Sequence, residues 1–209
     1  LHDALPILSF DDKGEKMFRK FLLAYIVLSA FTIQTQAISI NELNSSPQFK
    51  NVYQKTYSFD DASSNRIVLF LNTYSVEALE YAAPYYKLKG TFYSVDEGAR
   101  GWAITEYELT ATYDTNYSLG SLIHAKARVK PSPAMYAVIE AAQDESGIQI
   151  ELQGVKRYTW DGAVDNSPGK LVHQSRPLER SRFDQDLFAI ADAMFVVAYQ
   201  QHLDDIVVK

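Results

Sequence analysis

YYKLKGTFYSVDEGARGWAITEYELTATYDTNYSLGSLIHAKARVK, residues 85–130, decides the fold. It divides into three runs, Tyr85 to Val95, Gly101 to Tyr113 and Ser118 to Lys130, which read as alternating apolar and polar positions. A period of two marks strands with one face on a core and the other toward water. The DEGA and DTNY segments between the runs are turn-forming. An antiparallel meander is expected.

Requiring like faces to meet sets an expected register. A four-residue loop at Asp96 to Ala99 would pair Leu88 with Tyr107, Tyr86 with Leu109 and Phe92 with Ala103. It would also set Lys87 opposite Glu108 and Tyr93 opposite Trp102. A three-residue loop at Thr115 to Tyr117 would pair Leu109 with Ile123 and Glu108 with His124. This leaves one apolar face and one charge-alternating face, whose cross-strand pairs contribute about 0.2–1 kcal/mol each. Glu108 beside His124 could form an acid–base dyad of hydrolase type. Lys87, Lys89 and Lys126 around Glu106 and Glu108 favour solvated ion pairing instead.

Outward from this block, Ile67–Leu71 is an unbroken apolar run, typical of a strand covered on both faces. Residues 38–45 read as an irregular lead-in. Phe49, Val52, Tyr53 and Tyr57 fit either a helix opened by Ser46-Pro47 or a strand. Ser75 to Ala83 reads as a short helix stopped by Pro84. Beyond the block, Ser132 opens a helix with a Met135, Val138, Ile139, Ala142 stripe, ended by Gly147. Ile148, Ile150, Leu152, Tyr158 and Trp160 share one strand face, and Lys170 to Gln174 forms a last short strand. Ser181-x-x-Asp184 is a capping-box start for a final helix from Arg182 to about Leu203. Its stripe is Phe183, Leu187, Ile190, Ala191, Met194, Val197 and Ala198, with Asp192 outside it and solvated.

The chain opens with two segments set apart from the fold. Residues 17–37, MFRKFLLAYIVLSAFTIQTQA, have a basic start, an apolar run and a small residue, Ala37, at the end. This is the pattern of a secretory signal peptide cleaved after Ala37. A membrane-spanning helix would need roughly 20 apolar residues, more than this run supplies. The membrane is therefore expected to be met only through this segment before cleavage, with the mature protein periplasmic or extracellular. Residues 1–16, acidic and lacking a first Met, read as a leader foreign to the fold. Residues 38–209 remain as one globular domain.

The formal charge of −6 argues against nucleic acid, which needs a basic stripe. The chain has no Cys, so disulfide and thiolate chemistry are excluded. His124, His173 and His202 lack metal-ligand spacing, and no metal or cofactor is expected. Asp161, Asp165 and Asn166 read as turn residues. Arg176, Arg180 and Arg182 could hold an anion ahead of a helix, although pairing with Glu179, Asp184 and Asp186 is the plainer reading.

The expected fold class is α+β. A curved antiparallel sheet of about five or six strands packs against a long C-terminal helix and one or two shorter ones. Small residues on the apolar face, Gly90, Ala103, Ala111, Ser121, Ala125 and Ala127, either admit that helix closely or leave a ligand pocket. The residues expected to meet a ligand are Tyr86, Tyr107, Trp102, Tyr93 and Tyr158. The best reading is an exported non-catalytic domain binding a small apolar or aromatic ligand or an envelope protein. The alternatives are a hydrolase using Glu108 and His124, and an envelope assembly factor acting through Trp102 and Tyr93.

Overall fold

The apolar run Ile67–Leu71 is covered on both faces, as its composition implies. Val68 and Phe70 enter one core, Leu69 and Leu71 another, and none is more than 5% exposed. The run lies within β2 (Ser63–Ala82), the longest strand of a six-stranded antiparallel sheet. Its companions are β1 (Phe49–Asp60), β3 (Tyr85–Gly98), β4 (Gly101–Asp114), β5 (Ile148–Thr159) and β6 (His173–Pro177). They lie side by side in chain order. Among the described residues, three α-helices can be given full bounds: α1 (Ile40–Ser45), α2 (Leu119–Ala127) and α3 (Gln185–Tyr199). The class is α+β, with a single sheet and a C-terminal helix. The computed structural model describes residues 38–60, 63–98, 101–128, 136, 139–140, 142, 145–166, 172–180 and 183–208.

The first core lies between the sheet and α3. Leu88, Phe92, Leu109, Ala111, Tyr113, Ile148, Ile150 and Leu152 meet Ile190, Ala191, Met194 and Phe195. Gly90 admits the helix: a Cβ there would stand 3.2 Å from Met194 Cε. The Tyr113 hydroxyl donates to the Ala191 carbonyl at 2.9 Å, so its buried polar atom is satisfied. Phe195 packs against Tyr86, Tyr113 and Tyr199 with centroids 4.7–5.4 Å apart. Of the small residues of this face that the sheet contains, Gly90 and Ala111 serve close packing here, while Ala103 lies farther along β4, outside this core.

The second core lies on the opposite face, which the central strands' alternation marks as charged and solvated apart from Trp102 and Tyr93. Ser39 caps α1 by accepting from Glu42 N at 3.2 Å, and the helix buries Leu43. With Ile38 it covers Phe49, Val68, Phe70, Tyr93, Val95, Ile104 and Tyr158. Residues 38–45 are thus not an irregular lead-in but the lid of this core. The polar half of the face is Lys87, Lys89, Glu108, Thr110, Thr112, Gln149, Glu151 and Gln153, with Lys89 Nζ 3.1 Å from Glu108 Oε2.

The register differs from expectation by four residues in the first hairpin. Phe92 lies opposite Tyr107, Leu88 opposite Ala111 and Tyr86 opposite Tyr113, because the strands run on to Gly98 and Gly101. An even shift keeps every side chain on its face, so alternation alone cannot detect it. Trp102 consequently faces Glu97, and Tyr93 faces Glu106. In β5 a register shift leaves Val155 as an extra residue between Lys156, opposite Glu106, and Gly154, opposite Tyr107. Such a bulge reverses the faces beyond it. Tyr158 therefore joins the second core rather than sharing a face with Ile148 and Leu152.

Two segments exchange helix for strand. Ser75–Ala82 is strand, not helix: Glu77, Ala78, Glu80 and Tyr81 lie opposite Lys89, Leu88, Lys87 and Tyr86. Pairing overrides the helix propensity of Glu-Ala-Leu-Glu. Ser118–Lys130, read as a strand, holds α2. The Ser118 hydroxyl accepts from Ser121 N at 3.1 Å as its N-cap and donates to Ile206 O at 2.6 Å. Gly120 is required there, because a Cβ would come 2.5 Å from the Ile206 carbonyl. Of the helix expected from Ser132, Tyr136, Ile139, Glu140 and Ala142 are helical, while Met135 and Val138 lie outside the described residues. Gly147 ends the segment at φ +71°. Phe49 onward is strand, and the last strand begins at His173 rather than Lys170.

The C-terminal helix is shorter than expected, ending in a left-handed Gln200 at φ 58°. Phe183 is 89% exposed and lies outside the stripe. Asp184 makes no side-chain cap, since its carboxylate accepts from Arg176 and Glu179 N. Ser181, the other half of the expected capping box, lies outside the described residues, as does Arg182.

Candidate functional site

The fold sorts the five aromatic candidates by face. Tyr86 and Tyr107 lie on the α3 face, where both are already engaged. Tyr86 packs on Phe195 and Tyr199, and Tyr107 stacks on Phe92 with centroids 5.1 Å apart and planes 16° from parallel. Tyr93, Trp102 and Tyr158 lie on the other face with α1.

On that face Tyr158 donates to Glu106 Oε2 at 2.5 Å, and Tyr93 packs edge-on against Phe49 at 5.5 Å. Burial pushes the Tyr93 phenol up to about 12, with the Glu106 and Glu42 carboxylates adding to the effect. Tyr158 is raised further, by burial first and then by its hydrogen bond to Glu106. Both phenols therefore stay protonated as donors near neutrality. They are 8% and 4% exposed, so they form the floor of the face rather than its contact surface.

The contact surface is the rim beyond them. Ala103 and Thr159 are the end pair of the β4–β5 ladder; Trp102 stands next to Ala103 in β4, and Trp160 follows β5 directly. They are the chain's two tryptophans, 37% and 62% exposed. Trp160 opens a tight turn in which Gly162 N donates to Thr159 O and Thr159 N to Ala163 O, each at 2.9 Å. Gly162 takes φ +92° there, a conformation that favours glycine. Asp161 accepts from the Thr159 hydroxyl in this turn, so its carboxylate serves the local backbone geometry. Trp160 is not among the residues expected to meet a ligand; the pattern reads it as the last residue of a strand face shared with Ile148, whereas it lies beyond the strand in an exposed turn. Its place directly ahead of Asp161-Gly162 was the legible signal.

The other chemical candidates are separated. Glu108 stands in β4 opposite Thr91 and Gln153, paired with Lys89, whereas His124 lies on α2 with its Nε2 3.2 Å from Arg128 Nη2. The pairing that would have set them opposite each other does not form. Arg176 grips Asp184 with two bonds of 2.7 and 2.6 Å. Its guanidinium holds the Asp184 carboxyl below the usual range. Arg180 is spent on Asp204 and on main-chain carbonyls. A cleft of about 540 Å³ opens between Asp114–Tyr117 and Pro177–Glu179. Within it the Asp114 carboxylate caps Asn116, and Ser146 donates to Leu178 O. These polar groups hold turns in place.

Comparison with protein families, with curated proteins and with solved structures returns no match for this chain.

Proposed function

We propose that the chain is an exported, non-catalytic binding domain that meets its ligand or partner through the Trp102–Trp160 rim. Export rests on the basic, apolar, small-residue sequence of residues 17–37. The observation that carries the binding reading is that both tryptophans stand exposed at the ends of adjacent strands, on a face whose floor is closed by Tyr158 and Glu106. Indole rings offer a large flat apolar surface with one N–H donor. That surface suits a sugar ring, an aromatic group or an apolar ligand of the envelope.

Because these are the chain's two tryptophans, intrinsic fluorescence reports on the rim directly. The purified protein incubated with envelope extract should shift its emission and retain a small molecule or glycan visible by native mass spectrometry. Trp102→Ala with Trp160→Ala should weaken retention by about tenfold or more, the loss of roughly 1.4 kcal/mol or more of contact. Retention unchanged by the double substitution would sink the reading.

A further inference from the structure

On the α3 face the sheet is apolar as far as Leu71, Phe92 and Tyr107, which lie side by side. The next two rows turn polar from β3 onward. One runs Leu69, Ser94, Thr105, Arg157, and the other Ile67, Asp96, Ala103, Thr159. β3 and β4 pair here without a register shift, so alternation keeps Ser94 and Asp96 on the face of Phe92. Arg157 joins them because the Val155 bulge turns it to this side, with Tyr158 beside it on the other. Ser94 and Thr105 are each 8% exposed, and among the described residues nothing hydrogen-bonds the Ser94 hydroxyl. A buried hydroxyl without a partner costs stability, and alanine would pack there without that cost. Packing therefore does not account for it. Ala103, outside the α3 core, puts only a methyl between Asp96 and Thr159.

The ring of Tyr107 is held by Phe92, whereas its hydroxyl answers to the polar groups. Burial raises the phenol, Asp96 adds to the shift, and the Thr105 hydroxyl and Arg157 oppose it. Burial also raises the Asp96 carboxyl, with Arg157 acting against it. Asp96 and Arg157 are separated by two strand spacings and the rise of two residues, which puts their Cα atoms about 12 Å apart. Each feels the other's charge, yet among the described residues no hydrogen bond or ion pair joins them.

We propose that these groups form a ligand site for a small zwitterion of the free α-amino-acid class, its ammonium on Asp96 and its carboxylate on Arg157, Ser94 and Tyr107. An anion alone would face the Asp96 carboxylate, and a cation alone the Arg157 guanidinium. A ligand carrying both charges satisfies each and adds no net charge. The guanidinium can take a carboxylate through a bidentate fork, and the two hydroxyls supply further donors. An apolar side chain on the ligand lies along Ile67 and the Phe92–Tyr107 stack. An apolar wall with a few convergent polar groups is the usual composition of a small-molecule site. This site is on the opposite face of the sheet from the tryptophan rim and does not depend on it.

Titration of the purified full chain with L-phenylalanine, followed by amide NMR, should give saturable shifts centred on Ser94, Asp96, Thr105 and Arg157. Phenylpropionate lacks the ammonium and phenethylamine lacks the carboxylate. Each should bind about tenfold more weakly, since each leaves one protein charge unanswered. Asp96→Asn should remove the advantage of phenylalanine over phenylpropionate, and Arg157→Gln its advantage over phenethylamine, with circular dichroism and Tm unchanged. A purely structural pair would not produce this exchange of preference. Trp102→Ala with Trp160→Ala should leave all three titrations unaltered, so this site and the rim stand or fall separately. No saturable shift at these residues, or equal binding of the three probes by the wild-type chain, would overturn the proposal.

Discussion

Arg180 has a side chain only 9% exposed, and its guanidinium is surrounded by acceptors. Nε and Nη2 donate to Asp204 at 2.6–3.1 Å, and Nη1 and Nη2 reach the carbonyls of Ala142, Glu145 and Tyr117 at 2.6–2.9 Å. One side chain thereby ties the segment before β5, the turn after β4 and the C-terminal tail. Removing it would leave a half-buried carboxylate and several carbonyls without their donor. Arg180→Met should cost about 3 kcal/mol or more in urea denaturation, in line with breaking a buried pair from one side. Arg180→Lys should recover little, because an ammonium cannot reproduce the planar fork. A loss below about 1 kcal/mol would mean that water replaces these bonds. Nothing in the sequence distinguishes Arg180 from Arg176. The distinction comes from Asp204, which is brought to Arg180 only by the return of the chain after α3.

At the scale of elements, what was legible followed alternation and what was missed followed competition. Ile67–Leu71 and the run from Tyr85 to Tyr113 have patterns that only a sheet satisfies. Ser75–Ala82 and Leu119–Ala127 carry patterns that fit either state, and their neighbours decide. α2 is a helix because Ser118 and Ser121 are claimed by the tail, with Val208 N donating to Ser121 Oγ at 2.9 Å. The same tail is clasped to α3 by Asp192, which is not a free solvated acid. Asp192 accepts from Leu203 N at 2.9 Å, and its Oδ2 lies 2.6 Å from His202 Nδ1. The hydrogen bond and charge of Asp192 raise His202 above its ordinary value of 6.5; Asp205 adds to this and Lys50 opposes it. A raised folded pKa means the stabilisation is fully present below pH 6.5 and is lost as pH rises through the folded value. Amide exchange in Leu203–Ile206 should therefore quicken as pH passes that value, after correction for the intrinsic rate. Asp192→Asn should return the His202 NMR titration toward 6.5 and flatten the dependence. An unshifted midpoint in the variant would show that the clasp does not set it.

The unit from Ile38 onward is a sheet with a core on each face, and the two cores share strands. Along β2, Val68 and Phe70 belong to one, Leu69 and Leu71 to the other, so neither can melt without disturbing the backbone of its counterpart. The α3 core was legible because 15 helical residues present a broad apolar stripe. The α1 core was not, because a helix of 6 residues with one buried leucine leaves no periodic trace. Yet that leucine closes the face on which the tryptophan rim stands. Leu43→Ala should cost about 2–5 kcal/mol through lost burial and the cavity left behind. The loss should appear equally in tryptophan emission, which reads the rim of the α1 face, and in far-ultraviolet circular dichroism, which reads the whole sheet. Coincident urea transitions in both wild type and variant are expected if the shared strands make folding all-or-none. An emission transition that precedes the dichroism change would instead make the α1 face a separate, weaker unit, and the rim a surface whose shape depends on whether α1 is docked.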